Sequence, residues 1–97
     1  MVMFKKPVKV SRALITRYLR KLRGPEGCNF HRTPKTKELR WRCKGGMDKS
    51  LSTKVLRGMG VSSTDIARIH AVATKAGGHC DCEILFNATK ALKAKKW

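Results

Sequence analysis

Three short stretches carry the side chains that could bind a metal or do chemistry: Cys28-Asn29-Phe30-His31, Cys43, and Gly77-Gly78-His79-Cys80-Asp81-Cys82-Glu83. Tetrahedral zinc takes four Cys or His ligands, and short spacings let one turn supply two of them. Cys28-x-x-His31 has ordinary knuckle spacing. Cys80-x-Cys82 is tighter, so its sulfurs face one ion only where the backbone bends. With Cys43 the chain offers five metal ligands, Cys28, His31, Cys43, Cys80 and Cys82, and zinc is the expected cofactor because thiolate and imidazole are borderline-soft donors. Reduced core thiols and disulfides are the other uses these cysteines allow. His70 and His79 read as helix-face and surface polar residues. Asp81 and Glu83 could act as acid and base beside a metal-bound water. Six carboxylates in all, no Gly-rich phosphate loop and no familiar Ser/His/Asp spacing argue instead for a non-enzymatic protein with no small-molecule substrate.

Charge gives the second signal. The 97 residues hold 23 Lys and Arg against 6 Asp and Glu, a formal net charge of +17. Solubility needs a net charge of only roughly 2–8, so a polyanionic partner is expected. Residues 1–44 carry 14 basic and 2 acidic side chains, residues 45–79 carry 5 and 2, and residues 80–97 carry 4 and 2. The anion-facing residues are accordingly placed at Lys5, Lys6, Lys9, Arg12, Arg17, Arg20, Lys21, Arg23, Arg32, Lys35, Lys37, Arg40, Arg42 and Lys44. In Arg40-Trp41-Arg42 and Phe30-His31-Arg32 the cations are interleaved with aromatics, a composition that can clamp phosphate while stacking bases.

The elements that must position these groups follow from periodicity. Residues 1–10 read as a basic arm, 11–88 as one small globular domain and 89–97 as a basic, frayed tail. From Ser11, Leu14, Ile15, Tyr18, Leu19 and Leu22 fall on one helical arc, with Arg12, Arg17, Arg20, Lys21 and Arg23 opposite, and Gly24-Pro25 supplies the stop. Cys28 to Cys43 reads as a hairpin turning at 34–37, whose second arm alternates Leu39, Trp41 and Cys43 inward against Glu38, Arg40 and Arg42. A helix from Asp48 or Ser50 to Met59 and another capped by Ser62 form a helical hairpin. Ile84-Leu85-Phe86 is compatible with a buried strand or with the first turn of a C-terminal helix, and a short strand pairing with 38–43 is favoured. The fold class is thus α+β, a two- or three-stranded antiparallel sheet packed against a helical hairpin and preceded by a basic amphipathic helix.

Trp41-x-Cys43, the helical hairpin, and Gly77 to Leu85 with Asn87-Ala88 resemble a domain-of-unknown-function family of bacteria and archaea that ends in Gly-Gly-aromatic-Cys-Asp-Cys-Glu. The likeness covers roughly residues 38–88, with His79 standing where the family has an aromatic. It implies a small α+β domain in which Cys43, Cys80 and Cys82 belong together, and it implies no activity.

The sequence supports an RNA-binding protein, with association with the ribosome expected and phosphates held by the 11–23 helix and the hairpin. RNA is preferred to DNA because the charge lies on an arm, a helix and a hairpin and not on a recognition helix. The alternative is a helix-turn-helix DNA regulator presenting Ser62, Ser63, Thr64 and Arg68 to a major groove; a metal-dependent enzyme ranks below both. The N-terminus lacks the apolar run of a secretory signal and no stretch approaches a membrane span, so a cytoplasmic location with reduced thiols is expected.

Overall fold

The computed structural model describes residues 8–25, 27–29, 31–41 and 48–97. The chain is α+β, with a small two-stranded antiparallel sheet among helices. Helix α1 spans Arg12–Arg23. Its start is fixed by the Ser11 hydroxyl, which accepts from the Leu14 amide at 3.2 Å. That bond satisfies one of the amides a helix start leaves without a partner. Leu14, Ile15, Tyr18, Leu19 and Leu22 are all buried, which is the arc the periodicity predicts. The chain then turns at Gly24, whose amide donates back to the carbonyls of Arg20 and Lys21.

Strands β1 (His31–Arg32) and β2 (Leu39–Arg40) pair His31 with Arg40 and Arg32 with Leu39. So short a ladder buries nothing: all four residues are exposed. The inward face expected of the second arm is therefore corrected, since Leu39 is 42 % and Trp41 45 % exposed. Trp41 instead sets its ring edge-on to Phe86, with centroids 6.3 Å apart.

Helices α2 (Ser50–Gly58) and α3 (Ser63–Lys75) form the expected hairpin. Between them Gly60 takes φ +83°, which suits a residue without Cβ. The Ser62 hydroxyl accepts from the Asp65 amide at 3.2 Å, and Val61 and Ile66 are both buried, as a staple across the helix start requires.

The C-terminal segment departs most from expectation. The buried strand at Ile84-Leu85-Phe86 is a π-helical turn, Ile84–Ala88, set between the short helices α4 (Asp81–Glu83) and α5 (Thr89–Ala94). A short apolar run has no period that separates strand from helix. Here Ile84, Ala88 and Leu92 recur every four residues and are all fully buried, which is a helical stripe. The frayed tail is corrected with it, because Leu92 belongs to the core and the Trp97 indole N–H donates to the Leu92 carbonyl at 3.1 Å. Gly78 lets this segment approach α3: a Cβ there would lie 3.0 Å from the Ala73 carbonyl oxygen and 3.0 Å from the Ile84 Cα.

Candidate nucleic-acid interface and the cysteine segment

The Cys-Asp-Cys-Glu segment packs onto the start of α2, and its acid does structural work there. Helix α2 has no side-chain cap from its own N-cap residue, Lys49. The Asp81 carboxylate supplies it from 29 and 30 residues away, accepting from the Ser52 amide at 2.9 Å and the Leu51 amide at 3.2 Å. Asp48 accepts from the Ser50 amide at 2.9 Å, so two carboxylates satisfy the first three amides of the helix. Burial raises the Asp81 pKa, opposed by the hydrogen bonds from Ser52 and Leu51. Being 1 % exposed and committed to backbone, Asp81 is not placed to move protons for a substrate.

Beside it lies a polar chain through the core. The Ser52 hydroxyl meets the Tyr18 hydroxyl at 2.6 Å and His70 Nε2 at 2.8 Å, and can donate to one while accepting from the other. Burial, with a smaller push from Lys49, lowers the His70 pKa to about 4, and burial drives that of Tyr18 upward. Ser52 next to a neutral imidazole has the parts of a nucleophile and base, but Ser52 is wholly buried and no substrate can reach it. The chain is a satisfied core network.

The metal ligands read from the sequence are only partly brought together. Cys80 and Cys82 place their sulfurs 3.3 Å apart, and the Cys80 thiol lies 3.3 Å from Glu83 Oε1. Cys28 is fully buried in the apolar cluster, and its amide donates to the Leu22 carbonyl. His31 is exposed, and its Nδ1 lies 2.8 Å from the Asn29 carbonyl. Cys43 lies outside the described residues. Among the described residues no group of three or more His, Cys, Asp and Glu side chains is arranged to hold a metal ion. Buried His79 Nδ1 has no hydrogen-bond partner among the described residues.

The expected basic residues do not share one surface. Lys5, Lys6, Arg42 and Lys44 lie outside the described residues. Lys9, Arg17, Lys35 and Lys37 are exposed. On the hairpin, Arg32 donates to the Lys37 carbonyl, and Arg40 is paired with Glu38 at 3.0 Å. Lys21 faces α2, bordering a hollow with Lys54.

Arg20 and Arg23 instead wall a groove of about 500 Å³ between α1, β2 and the C-terminal segment, opposite Lys93. Leu19, Leu39, Leu85 and Phe86 give the groove apolar lining, and Phe86 is 60 % exposed. A second hollow adjoins at Phe86, where Arg12, Lys90 and Lys93 gather. No acidic side chain lines either hollow among the described residues. Sequence reasoning missed Phe86, Lys90 and Lys93, having put them in a strand and a tail. Their spacing was the available signal, since residues 86, 90 and 93 share one face of any helix.

The surface of α3 is less suited to an anion. The Arg68 guanidinium donates to Asp65 at 3.0 Å and sits over the Trp97 ring, 5.7 Å from its centroid. The Ser62 hydroxyl is used as the helix cap. No helix of the described residues is long and apolar enough to cross a membrane. Compared with known proteins, the chain matches no family model, no curated protein and no solved structure.

Proposed function

We propose that this protein is a non-enzymatic RNA-binding protein whose principal contact surface is the groove between α1 and the C-terminal segment. One observation carries the reading: Arg12, Arg20, Arg23, Lys90 and Lys93 surround an exposed phenylalanine with no carboxylate among them. Cations without counter-charges attract phosphate, and an aromatic face beside them suits bases that are not stacked in a duplex. The DNA-regulator alternative is disfavoured because Arg68 and Ser62, two of its reading residues, are engaged within the protein.

The test is the salt dependence of binding. Neutralising phosphates releases counterions, so log affinity falls linearly with log salt, with a slope of about −0.7 per phosphate contacted on a single strand. Reversing both groove arginines, Arg20→Glu with Arg23→Glu, should weaken binding to every RNA sequence alike and reduce that slope by about 1.4. If the double reversal binds like wild type while Arg68→Ala abolishes binding to duplex DNA, the helix-turn-helix reading replaces this one.

A further inference from the structure

A phosphate-binding surface has no use for exposed apolar side chains, yet this one is built around them. Of Leu39, Trp41 and Phe86, the large hydrophobic residues left exposed among the described residues, Leu39 and Phe86 line the groove, and Trp41, just after β2, meets the Phe86 ring edge-on. Scattered singly such residues need no explanation, but gathered on a cation-rich surface they mark a site of interaction. The backbone points the same way. Phe86 is the middle residue of the π-helical turn Ile84–Ala88, whose first and last side chains are fully buried. Such turns are uncommon and occur often at functional sites.

The chemistry of the lining defines the occupant. A ligand filling the groove must be flat or apolar in its body, to lie against Phe86, Leu39 and Leu85, and anionic at its edge, to meet Arg20, Arg23 and Lys93. A nucleotide with its base out of the stack has both properties, whereas a duplex offers phosphates but keeps its base faces covered. The volume of about 500 Å³ also suits a small planar group, since sites for small molecules run from roughly 300 to 1,000 Å³. Resting on the RNA-binding reading, we infer that the groove takes an unpaired nucleobase, laid against Phe86, and so selects single-stranded RNA over duplex.

The experiment measures the affinity of the full chain for a single-stranded oligouridine, for the same strand with abasic positions, and for an RNA duplex with as many phosphates. Wild type should prefer the single strand to the duplex by about tenfold, since stacking one base on an aromatic side chain is worth roughly 1–3 kcal/mol. Phe86→Ala should lose about tenfold on the single strand and little on the duplex, and Phe86→Tyr should retain the preference. The abasic strand should bind wild type as weakly as the intact strand binds Phe86→Ala, with no further loss when both changes are combined. Equal affinity for strand and duplex, unchanged by Phe86→Ala or by abasic positions, overturns the base site and leaves the phosphate surface standing. Absence of binding to every RNA overturns both readings. Should Phe86→Ala fail to fold, the abasic strand tests the site with wild-type protein alone.

Discussion

Helix α1 serves two regions of opposite character. One part of its surface sends Tyr18 into the Ser52–His70 network beside the Asp81-capped start of α2, where every described polar contact is internal. Another part sends Thr16, Arg20 and Arg23 to the groove, where cations stand at the surface and Phe86 faces solvent. In the first region polarity is enclosed and satisfied; in the second apolarity is exposed beside charge. Asp81, Cys80 and Cys82, which look chemical in the sequence, lie near the first. The residues suited to a partner lie in the second.

The largest expected effect breaks the enclosed region. Asp81→Ala leaves two amides at the start of α2 without an acceptor, and hydrogen bonds to charged groups contribute about 1.5–3 kcal/mol each. Water can reach the part-buried Leu51 amide and recover some of this, so a loss on the order of 2–4 kcal/mol should lower the melting temperature by roughly 8–32 °C in a domain of this size. Asp81→Asn should cost much less, because the amide oxygen still accepts and no buried charge remains. Thermal melts followed by circular dichroism decide it. Equal losses for the two variants would mean that the charge, and not the cap, is what α2 requires.

The second prediction is the converse. Arg20→Glu with Arg23→Glu should reduce RNA affinity at low salt while moving stability by no more than about 0.5 kcal/mol per exposed site. A large drop in melting temperature with RNA affinity intact would erase the distinction between the two regions.

How much of this was legible depends on where the physics is local. Helix α1, its Ser11 cap and its buried arc follow from spacing alone, as do α2, α3 and the Ser62 cap. Of the two readings of Ile84 to Phe86 the helical one holds and the favoured strand does not, because a short apolar run is compatible with strand and helix alike and only packing chooses. Trp41 alternates as a core residue should, but the hairpin is too short to bury its inner face. The cap from Asp81 was invisible for another reason: it joins residues about 30 positions apart, and no periodicity encodes such a pair. The groove failed to show for the same reason, being assembled from three separate parts of the chain.

Removing one hydroxyl from the enclosed network should have a smaller effect. Tyr18→Phe keeps the ring packing and deletes the 2.6 Å contact with Ser52, leaving that hydroxyl with His70. A net loss of about 1 kcal/mol is expected, read as a fall of roughly 4–8 °C in melting temperature. No change would mean that the network is a by-product of packing and adds no stability of its own.

The smallest effect is a slope. His70 has its pKa lowered to about 4 in the folded protein from 6.5 in the unfolded chain. Between those values the unfolded chain takes up a proton that the folded one refuses, so acid favours unfolding. Stability associated with neutral His70 is fully present above pH 6.5 and is lost as pH falls toward about 4. Asp81 acts in the opposite sense: with its pKa raised by burial, the folded chain holds a proton more tightly, and its contribution grows as pH falls toward the ordinary carboxylate range. In the window above that range the two oppose each other, so between pH 7 and pH 5 wild type should lose more melting temperature, or gain less, than a variant that cannot titrate at residue 70. His70→Gln can keep a hydrogen bond to Ser52 but has nothing to titrate, and its melting temperature should stay level or rise slightly over the same interval. If both proteins fall in parallel, the titrating group lies elsewhere and the enclosed region is not what sets the acid limit of the fold.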